Sequence, residues 1–437
     1  MFNKRRNTAT EISFLVGAVI VGFAAVFYAH LVSRVQGFYF SHFNAHPYIV
    51  TALTPMIFIC ASYAVVKHAP DAKGSGIPQV LAAIELAKKN EKKAWDTPLV
   101  SIWTAVVKVL STTAGFIGGA SLGREGPTVQ VASSVFAWIG KRTVGIRNGG
   151  NLQTYLTAGA SAGVAAAFNT PLAGITFALE ELAEESFHHY KQWVILSVII
   201  AGITAQAFLG DYLYFGHPSV QSPNLIVVPE ALALGLLGGL LGGLFGRLLD
   251  HRKIRFLPKS WWKKALLCGV LCAGINLATH GDTAGSGYEV TQRFFMGPPN
   301  AELPLFFVLE KLATTVLSYL SGMAGGIFSP CLSIGSGLGV LFAKIAHVEN
   351  LKVCGLIGMV AFFSGVVQAP LTAVIIVVEM TDEHILIIPF LVAAFLAQRF
   401  AQILMPVPLY KHLALGIDQD DVPEGGKTTS ESLPDVL

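Results

Sequence analysis

The chain has 437 residues, of which 53% are hydrophobic and only 13% charged, with a mean hydropathy of +0.59. Soluble domains carry about 25% charged residues, so the composition excludes an ordinary water-soluble fold and points to a lipid environment. The formal charge of +3, with no basic stripe interleaved with aromatics, excludes a nucleic-acid partner.

Lys4, Arg5 and Arg6 precede the first apolar segment, which predicts a cytoplasmic N-terminus by the positive-inside rule. Apolar stretches of about 20 residues, the length of a bilayer crossing, recur at 14–31, 48–66, 193–209, 231–249, 303–320 and 385–401. The first has no small-residue cleavage site and reads as a retained helix, not a signal peptide. Other apolar runs are shorter and broken by glycine or proline, so roughly ten to eighteen helices are expected, many partial or tilted. The predicted fold class is an all-α polytopic membrane protein. Residues 1–12 read as a basic N-terminus, 13–412 as the transmembrane domain, and 413–437 as a polar tail expected to be disordered. The five cysteines have no metal-ligand spacing, and neither a disulfide nor a cofactor is indicated.

A weak internal repeat of roughly 200 residues organises the transmembrane part, with halves at about 13–210 and 229–412. Gly74-Ser75-Gly76-Ile77 is echoed by Gly285-Ser286-Gly287-Tyr288. Lys108 precedes Pro127 by the interval that separates Lys311 from Pro330. Gly123-Arg124-Glu125-Gly126-Pro127 aligns with Gly326-Ile327-Phe328-Ser329-Pro330. Pro171-Leu172-Ala173, leading to Glu180, matches Pro370-Leu371-Thr372, leading to Glu379. Such a period is too long for a solenoid unit. It fits transporters built from two related halves around a midplane site of interrupted helices.

Three joints share one design: Gly74 to Pro78, Gly123 to Pro127, and Gly326 to Pro330. Glycines permit irregular, closely approached backbone, and the proline suits the first turn of a new helix. A helix start presents unpaired N–H groups and the positive end of the macrodipole, which together receive an anion. One such joint is an ordinary helix break. Three of them, repeated across the halves, make a site.

At these residues the chain resembles the CLC family of chloride channels and chloride/proton antiporters, over about 14–410. The motifs GSGIP at 74–78, GREGP at 123–127 and GGIFSP at 325–330 stand in order. The resemblance implies that the Ser75 and Tyr410 hydroxyls and the backbone N–H groups of Ile327 and Phe328 hold the anion. It implies that Glu125 is the gating carboxylate and Glu181 the inner proton-relay acid. The motif loops would be Gly74, Gly76, Ile77 and Pro78; Gly123, Arg124, Gly126 and Pro127; and Gly326 and Pro330. It further implies two inverted halves and a homodimer with one pathway per subunit. Gln79 stands where many relatives carry glutamate, and regulation by nucleotide through the cytoplasmic domains of many eukaryotic relatives is not expected.

The expected function is exchange of chloride-like anions for protons, in a bacterial inner membrane, with no enzymatic reaction. A passive or proton-gated chloride channel of the same fold is the alternative. A cation-coupled solute transporter or an intramembrane enzyme is more distant. Glu180, Glu184 and Glu185 read as part of a solvated acidic face, and Glu379 as structural. Lys108 and Lys311 are repeat-related and receive no role in the site. Gly159-Ala-Ser161-Ala-Gly163 fits a nucleophile elbow only on paper, because it lies in an alanine-rich membrane segment. The glycines at 235, 239 and 243 and at 238, 242 and 246 form G-x-x-x-G patterns suited to close helix packing within or between subunits.

Overall fold

The computed structural model describes residues 2–143, 151–182, 187–210, 213–218, 220, 227–250, 257–298 and 303–420. In chain order the helices are α1 (Phe2–Ala45), α2 (Pro47–His68), α3 (Ile77–Lys89), α4 (Glu91–Ala94), α5 (Ile102–Ile117) and α6 (Glu125–Thr143). They continue as α7 (Leu152–Phe168), α8 (Pro171–Phe177), α9 (Phe187–Leu209), α10 (Val227–Leu249), α11 (Trp261–Ala278) and α12 (Tyr288–Met296). The last six are α13 (Phe307–Leu320), α14 (Phe328–Ile345), α15 (Leu351–Val367), α16 (Pro370–Thr381), α17 (Ile387–Leu404) and α18 (Leu409–Asp420). Among the described residues there is no β-strand beyond two isolated bridges. The protein is all-α and polytopic.

Among the described residues, six helices are long and apolar enough to cross a membrane. Five of them coincide with apolar stretches visible in the sequence. The stretch at 303–320 differs: its helix begins only at Phe307, after Pro304 and a turn. The sixth long helix is instead α14, whose glycines and serines dilute the apolar run that would mark it in the sequence. At the C-terminal end, α18 carries helix past residue 412 to Asp420, with Ala414 buried. The start of the polar tail at 413 is thereby corrected, because Leu413 and Ile417 pack on the core and extend the helix. Residues 421–437 lie outside the described residues.

The repeat is visible as matched caps. Asn151 and Asn350 each accept a bond from the N–H three residues on, Thr154 and Val353, and so open α7 and α15. Both helices close on a left-handed polar residue, Asn169 at φ 60° and Gln368 at φ 60°. A proline then starts α8 and α16 two residues later. Short side chains let these helices pack deeply: α7 lies on α6, and α15 on α14.

The glycine stripe of α10 is two-sided. Gly235, Gly239 and Gly243 lie against Ala393, Ala397 and Ala401 of α17. Gly238 and Gly242 face Ala361 and Gly365 of α15, while Gly246 meets Met405. The G-x-x-x-G pattern therefore serves packing within one subunit, where small residues let backbones approach. Gly159 and Gly163 do the same against Ala132 and Val129 of α6, and Ser161 Oγ donates to Thr157 O, 2.8 Å away, in its own helix. That serine has no nucleophile-elbow context.

A Cβ on Gly242 would lie 2.7 Å from the Gly365 carbonyl carbon. Gly242→Ala should therefore destabilise the protein by about 1–3 kcal/mol. Gly274→Ala, where nothing lies within 4 Å, should leave stability unchanged or raise it by up to ~1 kcal/mol. Thermal unfolding in detergent compares the two.

Candidate functional site

The three glycine joints meet in the interior and are tied backbone to backbone. The Gly74 N–H donates to Met323 O at 3.0 Å, and the Gly325 N–H donates to Gly74 O at 2.9 Å. Gly123 and Gly326 exchange both of their bonds, at 2.7 and 2.8 Å. Irregular backbone from both halves is thus satisfied internally, as a non-aqueous setting demands. Gly76 sits at φ 107°, and a Cβ there would come within 2.8 Å of Gly126 O. Only glycine meets both conditions.

From this knot three helices start. Pro78 occupies the second position of α3, while Pro127 and Pro330 occupy the third positions of α6 and α14. All lie in first turns, where no intrahelical bond is lost. Ile327 precedes α14 and Phe328 opens it, both essentially buried. The N–H groups of such a first turn have no intrahelical acceptor.

Side chains then converge on the knot. Ser75 Oγ lies directly against the Gly126 backbone, so the α3 joint touches the start of α6. The Ser75 and Tyr410 hydroxyls are buried, and neither has a hydrogen-bond partner among the described residues. Ser75 is a close neighbour of the Tyr410 hydroxyl. Tyr410 is carried there by α18, which packs on α3.

Glu125 is the first residue of α6 and is 1% exposed. Its Oε1 accepts from Ser329 Oγ at 2.6 Å and from the Tyr214 hydroxyl at 3.3 Å, while its Oε2 has no partner among the described residues. Arg124, beside it, does not pair with it in a salt bridge. Its guanidinium donates to Ala167 O at 3.3 Å and lies 5.9 Å from the centre of the Tyr214 ring. Glu181 is buried in a π-turn that follows α8, near enough to Tyr410 for its charge to act there. It borders a cavity of about 250 Å³ with Lys88, Lys89 and Lys411, and Lys411 is the foremost charge acting on it.

The neighbouring acids separate cleanly. Glu180 accepts from the Leu371 and Thr372 N–H groups at 3.0 and 2.6 Å, capping α16. Glu379 accepts from Leu172 and Ala173 at 3.0 and 2.7 Å, capping α8. Each half thus supplies the carboxylate that closes the helix start of the other. Glu180 is a cap and not part of a solvated face, a role that depends on a contact across the repeat. Glu184 and Glu185 lie outside the described residues. The lysines are matched in the same way. Lys108 Nζ donates to Gly74 O at 2.8 Å, and Lys311 Nζ to Thr283 O and Gly285 O at 2.9 Å each. Each buried lysine amine donates to the first glycine carbonyl of a Gly-Ser-Gly joint. Gln79 Nε2 likewise donates to Lys73 O at 2.7 Å, just upstream of the first joint.

Sequence reasoning passed over Tyr214 and Ser329. Ser329 stands inside the third joint and was legible there as a hydroxyl beside two anion-facing amides. Tyr214 stands in no motif, and only the fold brings it to Glu125.

The family model described as "Voltage gated chloride channel" matches residues 56–402. The H(+)/Cl(-) exchange transporter ClcA of Vibrio cholerae serotype O1 (strain ATCC 39541 / Classical Ogawa 395 / O395) is 31% identical over 361 residues, 79% of this chain and 75% of that protein. ClcA of Salmonella arizonae is 31% identical over 404 residues, 88% of this chain and 81% of that protein. Among solved structures, a slow cyanobacterial Cl-/H+ antiporter superposes with a TM-score of 0.80 at 24% identity, covering 94% of this chain and 99% of its own. A CLC-type fluoride/proton antiporter gives 0.75 at 25% identity, covering 92% and 97%.

Removing either interhelical cap should loosen the junction of the halves. Glu180→Ala and Glu379→Ala should each cost about 1.5–3 kcal/mol, the worth of bonds to a charged group. A fall in thermal midpoint in both variants checks the reciprocity, whereas a fall in only one would contradict it.

Proposed function

The chain belongs to the voltage gated chloride channel family, and we propose that it exchanges chloride for protons across a membrane. The observation that carries this reading is a pair of buried carboxylates, Glu125 and Glu181, in the neighbourhood of the Ser75 and Tyr410 hydroxyls. Among the described residues neither hydroxyl has a hydrogen-bond partner. A chloride stripped of its water shell takes hydroxyl and first-turn N–H donors in exchange. Ser75, Tyr410, Ile327 and Phe328 supply them as partial charges, which bind an anion weakly enough for release.

Glu125 competes with the anion for the same region. Ionised, its carboxylate occupies donors such as Ser329 and blocks the path. Protonated, it is neutral, its hold on those donors weakens, and an anion replaces it. Each opening therefore takes up a proton, which links anion movement to proton movement. Glu181 hands protons to and from the opposite side, where the neighbouring lysines keep the cavity positive. A single acid would only gate a channel; the second buried acid is what favours exchange.

The membrane in question is a bacterial plasma membrane with the N-terminus in the cytoplasm, as Lys4–Arg6 favour by the positive-inside rule. The domain reading is a basic segment at 1–12, two inverted halves near 13–210 and 229–412, and a tail whose polar part follows α18. The assembly is a homodimer with one pathway per subunit, the arrangement the family resemblance implies.

Reconstituted liposomes test the mechanism. Glu125→Gln should keep chloride flux and abolish chloride-driven proton uptake, and Glu181→Gln should lose proton uptake while chloride still moves. Unchanged proton uptake in Glu125→Gln would sink the gate assignment. Anion binding gives a separate check. Tyr410→Phe and Gly126→Ala, which pushes on Ser75 Oγ, should each weaken chloride binding by tenfold or more, the scale of one lost bond to a charged group. Calorimetric titration with chloride reads this without transport.

A further inference from the structure

A tyrosine outside every motif lies against Glu125. Tyr214 follows α9 in a short segment pinned to α16, where the Phe215 N–H donates to Met380 O at 3.1 Å. Its ring is 5% exposed and held edge-on by Phe215 and Tyr288, with centroids 5.1 and 4.7 Å away. Its hydroxyl lies 3.3 Å from Glu125 Oε1 and 3.3 Å from Ser329 Oγ. The other side of the residue lines a cavity of about 210 Å³ that also reaches Arg124, Ser286 and Glu289. Tyr214 thus stands between that cavity and the gate carboxylate.

Ser329 spends its proton on Glu125 at 2.6 Å, which leaves its oxygen as an acceptor. The Tyr214 proton then has two acceptors, the carboxylate and Ser329 Oγ, at equal distance. When Glu125 is ionised, the tyrosine proton is drawn to the carboxylate. When Glu125 is protonated or displaced, the same hydroxyl turns to Ser329 without becoming a buried unsatisfied donor.

We propose that Tyr214 is a latch for Glu125: a positioning residue that holds the ionised carboxylate in its blocking place and sets the pH at which the gate opens. The proposal rests on the reading of Glu125 as the gate. The hydroxyl donates to the ionised carboxylate, so its loss weakens the blocking, ionised form of Glu125 relative to the open, protonated one. Among the described residues, the other titratable groups about Glu125 are Arg124, which precedes its helix, and Tyr28 from α1, with His30 of α1 and Tyr288 and Glu289 of α12 farther out on the cavity. Lys108 of α5 is engaged by Gly74. None of these changes in Tyr214→Phe, which keeps the ring and its packing.

The test is the pH dependence of chloride efflux from liposomes for wild type, Tyr214→Phe, Glu125→Gln and the double variant. Tyr214→Phe should move the efflux–pH curve toward alkaline pH by about one unit, raising efflux on its alkaline limb by up to about tenfold, with proton coupling kept. Glu125→Gln and the double variant should have the same rate and the same flat profile. An unshifted curve in Tyr214→Phe overturns the latch, as does an equal rate change in the Glu125→Gln background, which would mark a merely structural ring. Failure of the gate reading shows separately, as proton coupling that survives in Glu125→Gln alone.

Discussion

Four backbone hydrogen bonds hold this protein's interior together. Gly74 pairs with Met323 and Gly325, and Gly123 pairs with Gly326. In a lipid setting an unsatisfied amide costs several kcal/mol, so non-helical chain is tolerated at depth only where another stretch of chain completes it. The joints of the two halves complete one another. Once they do, three helices must start at nearly the same place, and their first-turn N–H groups and side chains have no choice but to converge. The site follows from satisfying the backbone.

The same economy of reciprocal contacts runs outward from the knot. Lys108 and Lys311 place amines on the carbonyls of matching joints, and Glu180 and Glu379 cap each other's neighbouring helices. Lys108 and Lys311 are buried and bonded to backbone carbonyls, while Glu180 and Glu379 are half-buried and use both carboxylate oxygens as acceptors. Glu125 and Glu181 differ because each keeps one carboxylate oxygen without a partner among the described residues. That contrast distinguishes acids that build the frame from acids free to change protonation or position. Adjacent residues, Glu180 and Glu181, fall on opposite sides of the line because a π-turn points them to different neighbours.

Tyr214 adds a local control to this frame. On the latch proposal, its hydroxyl passes between a carboxylate and a serine, both 3.3 Å away, so that Glu125 can be released without stranding a buried donor. The residue also lines the neighbouring cavity.

The sequence by itself determined the fold class, the two-half plan and the three joints, because hydropathy, helix-breaking residues and their spacing are local properties. It also singled out Ser75, Glu125, Ile327, Phe328 and Tyr410, through motifs short enough to be read in a line. It could not show that α14 is a long apolar helix, since Gly335, Ser336, Gly337 and Gly339 lower its local hydropathy, while Gly335 and Gly339 allow the close approach of α15. Nor could it extend α18 to Asp420, where packing outweighs a polar composition. Only the tertiary structure decided which acids are caps, where Lys108 and Lys311 donate, and that Tyr214 touches the gate. Those are contacts between residues tens to hundreds of positions apart, and chain order carries no information about which of them the closing of the two halves will bring together.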